Sequence, residues 1–406
     1  MGILLIPLAA VIAPLLAALV SRAILVPLVV FEIGLGMLLG PAGLGWVQDS
    51  DTLDVFSQLG LALLFFMAGN EINLDSVRGK GGVRALAGWG GSAVLALVAG
   101  FFLGGGDAST GVIIAIALSG TALGTLTPIL RDAGLTSGPV GNAVAAAGAV
   151  GEFLPLVAIS IFLSGRQPLA GVISLVVFLA VAGFAFATSA RSSGHWLQRM
   201  VTRTLHTSGQ FAVRVVILIL AALVVLAVVL DVDFLLGAFT AGLLARVVLR
   251  GSSPAEQHII EAKLESIAFG FFVPLFFVTT GVAFPLATLL ADPASLALVP
   301  LVAVAILVIR GVPGFLSPER GVSFRDRTTV GLFTATTLPL VIAVTEIGTD
   351  AGVLDASLAG ALVGGAMVTV LLFPMLALVG RARSVPAEGA EVGKIDDDPL
   401  SQSRHE

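Results

Sequence analysis

Apolar residues in this chain form long unbroken runs. Each lasts about 20 residues, ends at a few polar, glycine or proline positions, and then resumes. Thirteen such runs can be marked, near 3–20, 24–41, 53–72, 84–104, 109–131, 140–164, 168–190, 212–231, 233–250, 265–290, 295–316, 328–348 and 354–380. A hydrocarbon core about 30 Å thick needs a helix of that length. Backbone exposed to lipid must satisfy its own hydrogen bonds, which makes helix the expected form of each run. A β-barrel would alternate apolar and polar positions, and these runs do not. The pattern predicts an all-α polytopic membrane protein with thirteen transmembrane helices.

The polar segments between runs give an independent check. Short cytoplasmic loops collect Lys and Arg. The odd-numbered loops hold Arg22; Arg78, Lys80 and Arg84; Arg131; Arg191, Arg199, Arg203 and Arg214; Arg246, Arg250 and Lys263; and Arg320, Arg325 and Arg327. The even-numbered loops hold the single cation Arg166, with acids such as Asp49, Asp107, Asp233, Asp292 and Asp350. This alternation predicts the N-terminus outside and the C-terminus in the cytoplasm.

Composition agrees. Of 406 residues 57% are apolar and 12% charged, with mean hydropathy +1.06, whereas soluble domains carry about a quarter charged residues. The first run lacks a basic segment before it, so it reads as a span and not as a signal peptide. The absence of cysteine excludes disulfides and thiolate chemistry. The net charge of −5 implies no charged partner, and nothing suggests nucleic acid. Arg outnumbers Lys 18 to three, a hint of a GC-rich bacterial genome. Residues 191–211 read as a basic, partly amphipathic cytoplasmic connector whose Trp196 suits a lipid interface. Residues 381–406 read as a polar, disordered cytoplasmic tail.

Two runs are interrupted in the same way. The fifth contains Ser119-Gly-Thr-Ala-Leu-Gly-Thr-Leu-Thr-Pro128, and the twelfth contains Thr334-Ala-Thr-Thr-Leu-Pro339. Hydroxyls and a proline can unwind a helix and free carbonyl oxygens for a cation. Ordinary kinks with threonines bonded back to the helix are the alternative. Their matching positions in the two halves predict inverted repeats with discontinuous helices and a site near the midplane.

Ionisable groups at membrane depth cost at least ~2.5–3.5 kcal/mol and usually serve a function. Glu152 is the deepest acid, midway along the sixth run. A carboxylate there can hold either a proton or a metal ion. Competition for one acid would couple two fluxes. Arg310, in the eleventh run, is the candidate ion-pair partner of Glu152, with snorkelling to the cytoplasmic side as the alternative. Glu71 ends the third run, where it could reach Arg78 or Arg84 or serve a cytoplasmic ion funnel. Glu32 lies among glycines and reads as a helix-packing contact. Glu346 falls near an outer end. His195, His206, His258 and His405 fall in loops or tail, so none suits a midplane relay. Gly34, Gly36 and Gly40 lie within a span and predict close helix packing, not a phosphate loop. With no nucleotide motif and no catalytic triad, the chain is not expected to be an enzyme or to need a cofactor.

Several strings resemble the monovalent cation:proton antiporter-2 family of the sodium/proton exchanger superfamily: GLGMLLGPAGLG in the second run, LALLFFMAGNEINL in the third, LLGAFTAGLL in the ninth and PLFFVTTGV in the tenth. The resemblance covers residues 1 to about 380. It implies the sodium/proton antiporter fold, with crossed unwound helices around Thr121, Thr125, Thr127 and Pro128 and around Thr334, Thr336, Thr337 and Pro339. It implies a transport carboxylate eleven residues after Gly141, which is Glu152, as the site of a monovalent cation. The residue before it is usually acidic or amide and is here Gly151. A single acid opposite Arg310 implies electroneutral exchange of Na⁺ or K⁺ for H⁺ in a bacterial inner membrane. A homodimer in membrane lipid is also implied, with dimer-side residues 1–80 and 205–262 and core-side residues 81–165 and 290–380. A sodium-coupled symporter of a small organic anion and a transport-inactive relative remain alternatives.

Overall fold

Every backbone N–H and C=O at membrane depth needs a partner, and among the described residues helices are the only regular elements that supply one. The computed structural model describes residues 2–20, 26–48, 50–72, 79–136, 138–163, 168–191, 210–249, 253–319 and 321–379. Apart from its ends, the basic connector lies outside these residues, as does the tail from 381.

The helices are α1 (Gly2–Val20), α2 (Leu28–Leu39), α3 (Asp51–Glu71), α4 (Gly79–Leu103), α5 (Ala108–Leu118), α6 (Leu123–Asp132), α7 (Gly138–Phe162), α8 (Pro168–Arg191) and α9 (Phe211–Val229). There follow α10 (Phe234–Leu249), α11 (Pro254–Ile267), α12 (Val273–Ala283), α13 (Leu286–Ala291), α14 (Pro293–Ile306), α15 (Val312–Leu316), α16 (Phe324–Thr334), α17 (Pro339–Asp350) and α18 (Ala356–Leu378). Among the described residues, ten segments are long and apolar enough to cross a membrane, and three shorter apolar helices occupy 4–20, 28–39 and 234–249. Each of the thirteen expected runs therefore holds helix, the fifth as α5–α6 and the twelfth as α16–α17.

One boundary differs clearly. The tenth span was expected from residue 265, but its helix starts at Pro254. Ser253 Oγ accepts from Glu256 N at 3.3 Å, and Glu256 Oε2 accepts from Ser253 N at 2.8 Å. This capping box, with proline in the first turn, starts a helix in polar sequence ahead of the apolar run. His258, expected in a loop, lies on the exposed side of that helix.

A second feature was not expected. α11 joins α12 through a π-helical turn at Ala268–Phe272, and α14 joins α15 through another at Leu307–Gly311. Each turn is followed by Val-Pro: Val273-Pro274 and Val312-Pro313. A proline within a helix has no N–H to give and crowds the carbonyl four residues back. A wider turn just before it takes up the mismatch. Arg310 sits inside the second π turn.

The acids of the even-numbered loops cap helices. Asp107 Oδ2 accepts from Thr110 N at 2.8 Å, Asp292 Oδ2 from Ser295 N at 3.1 Å, and Asp355 Oδ1 from Leu358 N at 2.8 Å. Bonds from Thr110 N–H, from the Ser295 hydroxyl and from the Ser357 hydroxyl, in that order of residue, hold these three carboxyls below the usual aspartate range.

The helices pack mainly in two groups. In one, α3 packs on α10 and α12, and α2 packs on α12 and α1. In the other, α4 packs on α5 and α7, while α18 packs on α14, α16 and α17. α6 and α7 reach across to α3 and α10. Of the three glycines expected to allow close packing, Gly36 and Gly40 press against the backbone of α12, where a Cβ would strike the carbonyl oxygens of Val278 and Val282; Gly34 faces open space. The broken spans are the most enclosed, with 78% of the α5–α6 window and 83% of the α16–α17 window buried, against 17% for α4. Irregular backbone is tolerated at membrane depth where protein surrounds it, which is where this fold puts both breaks.

Candidate ion-binding site

Two interrupted helices meet beside one buried acid. α5 ends at Leu118 and α6 begins at Leu123, so Ser119–Ala122 is unwound; α16 ends at Thr334 and α17 begins at Pro339, so Ala335–Leu338 is unwound. The second break follows directly from Pro339, since the residue before a proline is driven out of helical geometry. Leu338 has φ −155° and ψ −57°. The first break has a different cause from the one expected. Thr125, Thr127 and Pro128 are inside α6, downstream of the unwound residues, so Pro128 does not sit in the break.

The breaks are bonded to each other. Ala122 N–H donates to Thr336 O at 3.0 Å, and the Thr121 hydroxyl donates to Thr334 O at 2.6 Å. Thr121 N–H donates to Gly151 O on α7 at 3.1 Å. Three elements far apart in sequence are thus fixed at one point. Most hydroxyls at the crossing bond their own helix: Thr125 to Ala122 O, Thr127 to Leu123 O, Thr334 to Gly331 O and Thr336 to Leu332 O. The Thr337 hydroxyl is buried with no partner, while Thr337 N–H donates to the Thr369 hydroxyl at 3.3 Å.

Glu152 lies midway along α7 with 5% of its surface exposed. Its Oε1 accepts from Gly124 N–H, at the start of α6, at 3.4 Å. A helix N-terminus is a natural seat for negative charge, because its first N–H groups lack helical partners. Its Oε2 is buried with no hydrogen-bond partner. One oxygen is therefore oriented by the protein and the other meets no donor.

Arg310 is buried at the same crossing, but its bonds do not go to Glu152. Nε donates to the Thr121 hydroxyl at 2.9 Å, Nη2 donates to the same oxygen and to Ala147 O at 3.3 Å, and Nη1 donates to Ser92 Oγ at 3.3 Å. The ion pair expected between Arg310 and Glu152 is not formed in this structure. The guanidinium rests instead against Gly151, where a Cβ would fall on Nη2 and come within 3.0 Å of Thr121 Cβ and Oγ1. Absence of a side chain at 151 is what lets the guanidinium lie against α7. It is not snorkelled to a surface either, being 3% exposed.

The other acids are placed as follows. Glu71 ends α3, and its Oε2 is buried without a partner. Arg84, one expected partner for it, pairs instead with Glu319 at 2.9 Å on the surface; Arg78, the other, lies outside the described residues. Glu32 is buried on α2, whose main partners are α12 and α1. Glu346 is exposed on α17. Sequence reasoning missed Ser92, Thr369 and the Gly124 N–H. Ser92 and Thr369 stand out as lone hydroxyls in apolar stretches (GWGGSAVLALV and GGAMVTVLLF), but nothing local names their partners 218 and 32 residues away.

The description "Sodium/hydrogen exchanger, transmembrane" matches residues 8–378. YjbQ of Bacillus subtilis (strain 168) is 27% identical over 371 residues, covering 86% of this chain and 58% of that protein. The Na(+)/H(+)-K(+) antiporter GerN of Bacillus cereus is 26% identical over 263 residues, 63% of this chain and 65% of GerN. Cation/H(+) antiporter 18 of Arabidopsis thaliana is 28% identical over 395 residues, 89% of this chain and 47% of the plant protein. The chain thus spans between about half and two thirds of the length of these relatives.

Proposed function

Because the chain belongs to the transmembrane sodium/hydrogen exchanger family, we propose that it is a secondary antiporter exchanging a monovalent cation, Na⁺ or K⁺, for H⁺. The observation that carries this reading is Glu152: one oxygen held by the start of α6, the other without a partner, at the crossing of two broken spans. A buried carboxylate in that position is neutralised by either ligand and so binds them in turn. Relatives named for Na⁺/H⁺ and K⁺ antiport support the substrate class.

The mechanism follows from what each group can do. With a proton on Glu152, the acid is neutral. An arriving cation displaces that proton and takes the free oxygen, with carbonyl oxygens of the unwound segments within the same crossing. Half-helix ends presenting N–H groups to the acid and carbonyls to the cation suit a site near the midplane. Arg310, bonded to Thr121 at the crossing, keeps its positive charge throughout, so the charge that is exchanged is carried at Glu152. Exchange is then one proton per cation and electroneutral. The two packing groups move past each other to open the site to either side, with the α1–α3 and α9–α12 group at a homodimer contact and the α4–α7 and α14–α18 group as the moving core. The two halves are inverted repeats. The protein sits in a bacterial inner membrane with its N-terminus outside.

The test is proteoliposomes containing a pH-sensitive dye. Addition of Na⁺, K⁺ or Li⁺ should move protons outward in exchange, with no dependence on voltage. A rate that follows voltage would reject electroneutrality. Silence with all three cations would reject antiport.

A further inference from the structure

The proton leaving Glu152 needs a route, and one face of α6 marks it. Gly124, Thr127 and Arg131 stand at i, i+3 and i+7, so they share a side of the helix. At 1.5 Å per residue, they are about 4.5 and 10.5 Å apart along its axis. Each meets a different acid. The Gly124 N–H meets Glu152 at 3.4 Å. Thr127, whose hydroxyl donates to Leu123 O, acts on Glu71 across the contact of α6 with α3. Arg131, largely exposed, stands 3.9 Å from Glu265. The series runs from the enclosed site to solvent, with Glu71 as its middle member.

Among the described residues no ion pair accounts for Glu71. Arg131 makes its contact with Glu265, and Arg246 Nη1 donates to the carbonyl oxygen of Asn70. These three charges act on Glu71 through space, from α6, α11 and α10 respectively, and Glu71 in turn acts on Glu152. One carboxyl oxygen of Glu71 still lacks a partner. A half-buried acid with one enclosed, unpartnered oxygen, on the helix that faces α6 across the two packing groups, is costly unless something passes through it.

We propose that Glu71 is the inner proton relay of the exchange site. When a cation binds Glu152, the displaced proton is taken up by the Glu71 carboxylate and then passed to water beside Arg131 and Glu265; on the return step it travels back the same way. The cation replaces the proton's charge at Glu152, and no other bond changes. This rests on Glu152 being the transport acid.

Stopped-flow proton release after mixing detergent-solubilised protein with Na⁺ or K⁺ tests it, on the full chain and on E71Q, E71D and E152Q. E71Q should retain the amplitude of release but slow it by tenfold or more. Imidazole at rising concentration should restore the rate, because a mobile base replaces the missing acid. E71D, which keeps the acid on a shorter arm, should release quickly without imidazole. Release from E71Q as fast as wild type, release slowed but indifferent to imidazole, or loss of the amplitude would each overturn the relay. Undiminished release from E152Q would instead reject Glu152 as the transport acid. A silent E152Q beside a wild-type E71Q would reject the relay alone.

Discussion

Replacing Gly151 by alanine isolates the physics of the site, because two effects of opposite sign compete there. Gly151 is in the interior of α7, where alanine is ordinarily more stable than glycine by about 1 kcal/mol. The added Cβ, however, would fall on Arg310 Nη2. Moving that nitrogen breaks its bonds to Thr121 and Ala147. Hydrogen bonds to charged groups contribute about 1.5–3 kcal/mol each, so losing both outweighs the propensity gain and leaves a net loss of about 2–5 kcal/mol. The assay is thermal or denaturant unfolding in detergent, run as a double-mutant cycle with Arg310→Ala. In the Arg310→Ala background most of the penalty should vanish, so the coupling should make up most of that loss of about 2–5 kcal/mol. A residual cost from Thr121 at 3.0 Å is expected. If Gly151→Ala raises stability with Arg310 present, or lowers it equally in both backgrounds, the seating of the guanidinium on Gly151 is wrong.

Three further outcomes follow. Thr121→Val removes the acceptor of two Arg310 bonds and the donor to Thr334 O, so unfolding should show a loss of about 2–4 kcal/mol, with Thr121→Ser close to wild type. Thr337→Val removes a buried hydroxyl with no partner, so stability should hold or rise slightly, and a large loss on unfolding in detergent would count against the unpartnered placement of that oxygen. Asp355→Ala removes the N-cap of α18 and should cost about 1 kcal/mol. The wild-type advantage over that variant should be complete above about pH 4, the unfolded aspartate value, and fade as pH falls through the lower folded value, as melts at pH 3 and pH 6 would show.

Much of the fold was legible because the bilayer leaves so little choice. A run of apolar residues long enough to cross has to be helical, and its ends are marked by charge. The buried acid was legible for the same reason: Glu152 is a charged residue where charge is expensive. The partners were not legible. Arg310 and Thr121 are 189 residues apart, and nothing near either names the other. Opposite charge alone suggested Glu152, yet Thr121, Ser92 and Ala147 take the guanidinium's bonds. The first break was misplaced because a proline is a visible signal. Its actual residues, Ser119–Ala122, are held open by bonds to Gly151 and Thr336 that exist only after folding. Conversely, Ser253-Pro254-x-Glu256 is a local start signal and was overlooked because attention followed hydropathy.

The most direct measurement is calorimetric titration of Na⁺ or K⁺ into the detergent-solubilised protein, repeated in two buffers of different ionisation enthalpy to count protons. Wild type should release one proton for each cation bound, and Glu152→Gln none. Equal proton release from the Glu152→Gln protein, still folded by its melting curve, would contradict exchange at this carboxylate.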